Sequence, residues 1–232
     1  MREPSLFAPP ASAQPLAARM RPRTLEEFAG QQQLLGPGKA LGDLIRRGEV
    51  GSMIFWGPPG SGKTTLAFLI AKYTDREFVP FSAVTEGIPR VREIIKEAED
   101  RLTLNGRRTI LFCDEIHRFN RAQQDAFLPH VERGTIALIG ATTENPSFEI
   151  TGALLSRCRV FVLEPLSESD LAMVVRRALA TLADVTIDDD ALALLVREAD
   201  GDARRALSAL EAAAEFSKQI TTQVIADALQ RR

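Results

Sequence analysis

Residues 53–65 read MIFWGPPGSGKTT, a four-residue apolar strand running straight into a glycine-rich loop that ends in Lys-Thr. Gly57 and Gly62 bracket the spacing G-x-x-x-x-G-K-[ST], in which successive main-chain N–H groups converge on phosphate oxygens as long as no side chain intrudes. Gly60 can adopt positive φ without steric cost, and Pro58 and Pro59 stiffen the entry to the loop. Beyond Ser61, Lys63 brings a point charge to the β and γ phosphates. Thr64, followed by Thr65, offers a hydroxyl to Mg²⁺. The residues after the loop, TTLAFLIAKY, have helical character, and the positive end of that helix dipole adds to the anion site. Strand, loop and helix together predict a triphosphate-binding unit.

Outward from this unit, FVPFSAV (78–84), TILFCDEI (109–116), TIALIGATT (135–143) and RVFVL (159–163) read as strands, with a helix over 88–102. Continuous apolar runs without polar alternation belong to parallel strands covered on both faces, so the pattern predicts a five-stranded, doubly wound α/β sheet. A shorter helix is expected over 39–47, and before it Thr24 caps a turn that Gly30 ends. After Glu164-Pro165 the buried-strand pattern stops. Ser167 and Asp170 form a helix start, and helices near 168–183, 188–199, 203–217 and 222–230 predict a small all-α lid. The expected organisation is a flexible Pro/Ala/Ser-rich tail over 1–18, an ATPase domain over 19–165 and a lid over 166–232.

A phosphate loop binds; hydrolysis also needs charge stabilisation and a positioned water. ILFCDEIH supplies the second half, because its strand delivers Asp114 and Glu115 to the carboxyl edge of the sheet, where ligands bind in open α/β folds. Asp114 is the expected Mg²⁺-shell ligand and Glu115 the general base. His117, just beyond, is read either as a sheet-end residue or as a coupling group, and neither it nor His130 has metal-ligand spacing around it.

Composition narrows the remaining classes. With 232 residues, 45% hydrophobic and 26% charged, the chain is an ordinary globular protein, and its net charge of −2 excludes a nucleic-acid binder that uses its whole surface. Local basic patches stay open: Arg107 and Arg108 precede the DE strand, Arg118 and Arg121 follow it, and all four are candidates for one DNA-facing channel. Cys113 and Cys158 read as buried reduced thiols. With no run of about 18 apolar residues and no hydrophobic signal core, a cytosolic protein without membrane contact is expected.

GPPGSGKTT, CDEIHRFNRAQQDAFLPHVERGTIALIGATTENPSFEIT, ALLSRCRVF and GDARRALSALE together resemble the AAA+ P-loop NTPases of the clamp-loader branch. Within that branch they are most similar to the replication-associated recombination protein A family, whose eukaryotic relative is the Werner-helicase-interacting ATPase. The resemblance implies Mg-dependent ATP hydrolysis. It makes Thr143 the first sensor of the γ-phosphate, with Asn145 as a second candidate. Arg157 becomes an arginine finger acting in a neighbouring subunit, and Arg204 the lid's own sensor. Gln31 and the backbone near Phe28 become adenine contacts. It further implies a homo-oligomer, a tetramer in the full-length family. DNA is the implied partner, as single strands, ends, gaps or forks at stalled replication forks, with replisome or single-strand-binding proteins as possible further partners. Family members continue past such a lid into a C-terminal oligomerisation region, so the resemblance also implies that this is an AAA+ core. Two other readings stay open, an ATP-gated recruitment module and a clamp-loader subunit.

Overall fold

A computed structural model describes residues 14–230 and divides the chain into two units, one from Gln31 to Glu164 and one made of the segment up to Gly30 together with the residues from Pro165 onward.

The first unit is built on a five-stranded, all-parallel sheet: β1 (Met53–Trp56), β2 (Glu77–Ser82), β3 (Thr109–Asp114), β4 (Ile136–Thr142) and β5 (Arg159–Val162), in the order β2-β3-β4-β1-β5. The most apolar runs are the central strands: every residue of β4 is buried, as is every residue of β3 except its last. The edges are marked as edges. Pro80, which cannot donate to a ladder, lies in β2, and Val160 and Val162 of β5 are exposed. The helix Ile88–Asn105 places Val91, Ile94, Ile95 and Ala98 at helical spacing into a cluster with Leu111 and Cys113 of β3 and Leu138 of β4. By strand alternation Phe112 faces the other way. There it stacks on Phe78, which meets Phe68 of the helix Lys63–Tyr73 edge to face. Helices thus cover both faces, as the continuous apolar strands require.

This strand order positions the site. From β1 the chain leaves toward β2 on one side, and after β4 it crosses to β5 on the other, so the loop after β1 lies where the winding reverses. Crevices at such reversals, at the carboxyl ends of the strands, are where open α/β sheets hold ligands.

The second unit packs the helices Glu168–Leu179, Asp189–Ala199, Ala203–Phe216 and Thr222–Gln230 around Leu171, Val175, Leu195, Leu207, Leu210 and Ile225. It is not purely helical. Thr186–Ile187 and Gln219–Ile220 form a two-residue parallel ladder, too short to give a strand signal in sequence. The expected tail also ends earlier than residue 18 over its described part. Leu16 is fully buried, opens a turn of helix over Leu16–Arg19, and donates its N–H to Glu211 Oε1 at 2.8 Å. Residues 20–30 likewise group with the helices rather than with the ATPase domain: Met20 covers the helical core, and Arg177 Nη1 donates to Glu27 O at 2.8 Å. Residues 1–13 of the expected tail lie outside the described residues. No helix among the described residues is long and apolar enough to cross a membrane.

Candidate nucleotide site

The loop after β1 is held by main-chain contacts that only its own sequence permits. Gly57 N–H donates to Thr142 O at 3.2 Å, and a Cβ on Gly57 would sit 2.3 Å from Leu163 O, so any side chain there would push β1 and the residue after β5 apart. Gly60 (φ +70°) and Gly62 (φ +97°) occupy left-handed backbone, and Gly62 caps the helix Lys63–Tyr73 with no side-chain acceptor on its first N–H groups. Ser61 Oγ donates to Pro58 O at 2.9 Å, shaping the loop from within. Lys63 is 8% exposed, and its ammonium donates to Gly57 O at 2.7 Å and Pro58 O at 2.8 Å. Uncapped N–H groups at a helix start, a buried ammonium and glycines that leave no room for side chains are the donor set a polyphosphate requires.

The strand register brings the acids to the same level. Trp56, the last residue of β1, pairs with Thr142, and Cys113 of β3 pairs with Gly140, so Asp114 lies at the level of Ala141 and Phe55, one step before the end of β1. Only β4 separates β3 from β1, about 10 Å in the direction of the ladder. Asp114 and Thr64 are half-buried on either side of that gap. One carboxylate, one hydroxyl and the phosphates themselves form a set that Mg²⁺ accepts, because it keeps several waters and rarely takes an all-protein cage.

Glu115 stands at φ 52°, ψ 45°, a left-handed conformation that a non-glycine residue holds only under constraint. This conformation ends β3 abruptly and starts the turn Ile116–Arg118. His117 then lies between two partners: its Nδ1 is 2.9 Å from Thr142 Oγ1 and 3.3 Å from Glu115 Oε2, with the imidazole side chain only 8% exposed.

The structure redistributes several expected roles. Thr142 was missed in sequence. Thr142 is the last residue of β4 and fully buried like the rest of that strand, and its Oγ1 accepts from Glu144 N–H at 3.0 Å. Thr143 follows the strand and is half-buried. Asn145 caps the short helix Pro146–Glu149, its Oδ1 accepting from Ser147 N–H at 3.0 Å, so that oxygen has a local use.

Gln31 differs most from expectation. It is 4% exposed and left-handed (φ 56°), and all four hydrogen-bonding positions of its amide are taken within the chain. Nε2 donates to Glu164 O (2.7 Å) and Ser61 O (3.5 Å), while Oε1 accepts from Glu164 N–H (3.1 Å) and Gln33 Nε2 (2.9 Å). An amide so engaged has nothing left to offer an adenine edge.

Arg157 follows the short helix Gly152–Leu155 and is half-exposed. Its guanidinium pairs with Glu132 and donates to Ala153 O at 2.8 Å. Arg204 is exposed in the first turn of the helix Ala203–Phe216, in the helical unit, where Asp202 caps that turn by accepting from Arg205 N–H. The single DNA-facing channel is corrected. Arg107 and Arg108 precede β3 and Arg118 and Arg121 follow it, so a six-residue strand, about 20 Å long, places the two pairs at opposite ends of the sheet. At the amino end helices finish ahead of the strands, among them those ending at Arg47, Tyr73 and Asn105. Cations belong there for electrostatic reasons. Arg76 donates to Val50 O at 2.6 Å, and Arg107 pairs with Asp75 and Glu77. Burial pushes the Cys158 thiol up to about 11 and the Cys113 thiol, also beside Asp114, higher still, in keeping with two unreactive thiols.

Residues 53–166 match the family model "ATPase family associated with various cellular activities (AAA)", and residues 180–232 match the AAA C-terminal domain. Replication-associated recombination protein A of Escherichia coli K12 is 51% identical over 211 residues, which are 88% of this chain and 47% of that protein. ATPase WRNIP1 of Dictyostelium discoideum is 45% identical over 213 residues, 90% of this chain and 24% of that one. Among solved structures, the Thermotoga maritima RuvB Holliday junction branch migration motor superposes with a TM-score of 0.72 at 28% identity, covering 91% of this chain and 72% of its own. The chain spans about half the length of the replication-associated recombination proteins it matches. It carries the phosphate loop, the acidic strand end and the sheet order that the AAA domain needs, and it belongs to the AAA family of ATPases, as a homologue of replication-associated recombination protein A.

Proposed function

We propose that this chain is the nucleotide-hydrolysing core of an ATPase that acts on DNA at stalled or damaged replication forks. The observation that carries the chemistry is the convergence of the Gly57–Lys63 loop, Asp114 and Glu115 on one edge of the sheet, at the reversal of its winding. Lys63 and the N–H groups of the loop bind and orient the triphosphate, and Asp114 with Thr64 holds Mg²⁺, which neutralises phosphate charge when bound. Glu115 takes a proton from a water whose oxygen attacks the γ-phosphorus; the bond from that phosphorus to the bridging oxygen breaks, leaving ADP and inorganic phosphate. Thr143 contacts the γ-phosphate or the water. Arg157 serves a neighbouring copy, in keeping with its half-exposed place on the surface, and Arg204 is the γ-phosphate sensor that the family resemblance implies. The names of the relatives support replication and recombination as the setting, and exposed Arg118 and Arg121 supply a local basic patch on a chain of net charge −2.

The test is phosphate release measured against single-stranded, gapped and forked DNA, with oligomeric mass determined in parallel. Stimulation by at least one class, reduced by Arg118→Ala with Arg121→Ala, is expected. A flat response across the panel would remove DNA as the activator while leaving the ATPase itself standing.

A further inference from the structure

The proton on His117 can be located from its surroundings. A carboxylate oxygen of Glu115 stands 3.3 Å from Nδ1 and Thr142 Oγ1 stands 2.9 Å from it. Thr142 Oγ1 already accepts from Glu144 N–H and can donate its own hydrogen to Glu144 O at 3.3 Å. A lone pair on Nδ1 would face a carboxylate oxygen, whereas an N–H there donates to both neighbours and completes the network. The ring is enclosed, the threonine fully buried and Glu115 about a third exposed, so the shared hydrogen bond joins a fixed partner to a movable one.

We infer that His117 is a positioning residue that ties Glu115 to the end of β4, holding one carboxylate oxygen so that the other is free to take the proton of the attacking water. This rests on the reading of Glu115 as general base. Thr142 is the last residue of β4 and Thr143 the next, so anything that moves this strand end, including a γ-phosphate on Thr143, changes the anchor of His117 and with it the aim of Glu115. The left-handed backbone at Glu115 complements this arrangement: it bends the chain within two residues of the strand end and brings His117 back over β4. Without the imidazole, Glu115 would keep its place in the chain and lose its direction.

The experiment is single-turnover ATP hydrolysis and equilibrium ATP binding by the 232-residue chain and its variants His117→Ala, His117→Asn, Thr142→Val, the double variant His117→Ala/Thr142→Val, and Glu115→Gln as control. A misdirected base loses about 10- to 100-fold in rate, so His117→Ala is expected to show that loss in the hydrolysis step with ATP affinity unchanged. His117→Asn, whose amide N–H can reach the same carboxylate, should recover part of the rate. Thr142→Val should slow hydrolysis, and the double variant should be no slower than His117→Ala alone, because both substitutions cut the same link. An unchanged rate in His117→Ala, an equal loss of affinity and rate, or additive losses in the double variant would overturn the assignment. If His117→Ala does not fold, the His117→Asn and Thr142→Val rates decide it, and equal wild-type rates in both would overturn it. Should Glu115→Gln hydrolyse like wild type, the general-base reading fails instead, whatever the histidine variants do.

Discussion

The side-chain amide of Gln31 pairs in both directions with the main chain of Glu164, 133 residues away: Nε2 donates to its carbonyl at 2.7 Å and Oε1 accepts its N–H at 3.1 Å. These two residues are the first and last of the sheet unit, and the chain crosses to the helical unit directly beside each. The same amide reaches Ser61 O in the phosphate loop. One buried side chain therefore fastens both exits of the unit to its binding loop.

Gln31→Ala would leave the part-buried Glu164 N–H and carbonyl without their partner, at up to about 1 kcal/mol for each lost hydrogen bond. A lower urea midpoint is expected, and Gln31→Glu, which cannot donate to a carbonyl, should not restore it. Because the amide is fully engaged, the ratio of ATP to GTP affinity should stay at the wild-type value in any folded Gln31 variant. A changed ratio would return Gln31 to the adenine site.

Gly57→Ala would bring a methyl group to within 2.3 Å of Leu163 O, a main-chain atom that cannot rotate away. The loop or β5 must shift, with an expected loss of about 1–3 kcal/mol by the measure of overpacked sites and with loss of nucleotide binding. Gly38→Ala is the control, for its Cβ would meet nothing within 4 Å although its positive φ carries a strain of its own. Thermal unfolding with and without ATP separates the two: only Gly57→Ala should lose the ATP-induced rise in Tm.

Glu115 holds a left-handed backbone at φ 52°, a cost in stability that the proposed general-base role would explain. Glu115→Asn, a residue that tolerates this conformation, should raise the unfolding free energy by up to about 1 kcal/mol while abolishing turnover. A destabilised variant would show that the glutamate side chain contributes more to the fold than its backbone costs.

His130 titrates in the opposite sense to a partnered histidine. Burial, with the charge of Arg133 against it, holds its imidazolium below the ordinary value despite Glu99, and its Nδ1 is buried without a hydrogen-bond partner. A pKa lower in the folded than in the unfolded chain means that the unfolded state takes up the proton first. Stability is then present above the unfolded value of about 6.5 and falls as pH drops through it toward the folded value. His130→Gln should flatten the fall in urea midpoint between pH 7 and 5; an unchanged slope would place that proton uptake elsewhere.

The fold was legible because its signals are local and strong. The apolar runs of β3 and β4 could only be doubly covered strands, and the Gly-rich loop between strand and helix marked the phosphate end of the candidate site. The acidic pair at Asp114 and Glu115 marked the other end of the candidate site, since a strand delivers its last residues to the sheet edge. What escaped depends on contacts distant in sequence. Nothing near Gln31 announces Glu164, and nothing near His117 announces Thr142. The choice between Thr142 and Thr143 depends on the residue at which β4 stops, and strand ends are the least legible feature of a sequence. Leu16 escaped because its surroundings are rich in Pro, Ala and Ser, and its burial is supplied by the helix Ala203–Phe216. Arg107, Arg108, Arg118 and Arg121 look contiguous in the chain only because a strand hides the distance between them.

Hydrolysis of ATP at the carboxyl edge of this sheet, with Glu115 as the base, is the step on which the proposed function depends. Its most direct test is phosphate release in a single turnover by the 232-residue chain with ATP and Mg²⁺, set against Glu115→Gln, with ATP affinity measured on both. The expected result is equal affinity and a rate lower by about 10²- to 10⁴-fold in Glu115→Gln, the range of a lost general base. Equal rates at equal affinity would contradict it.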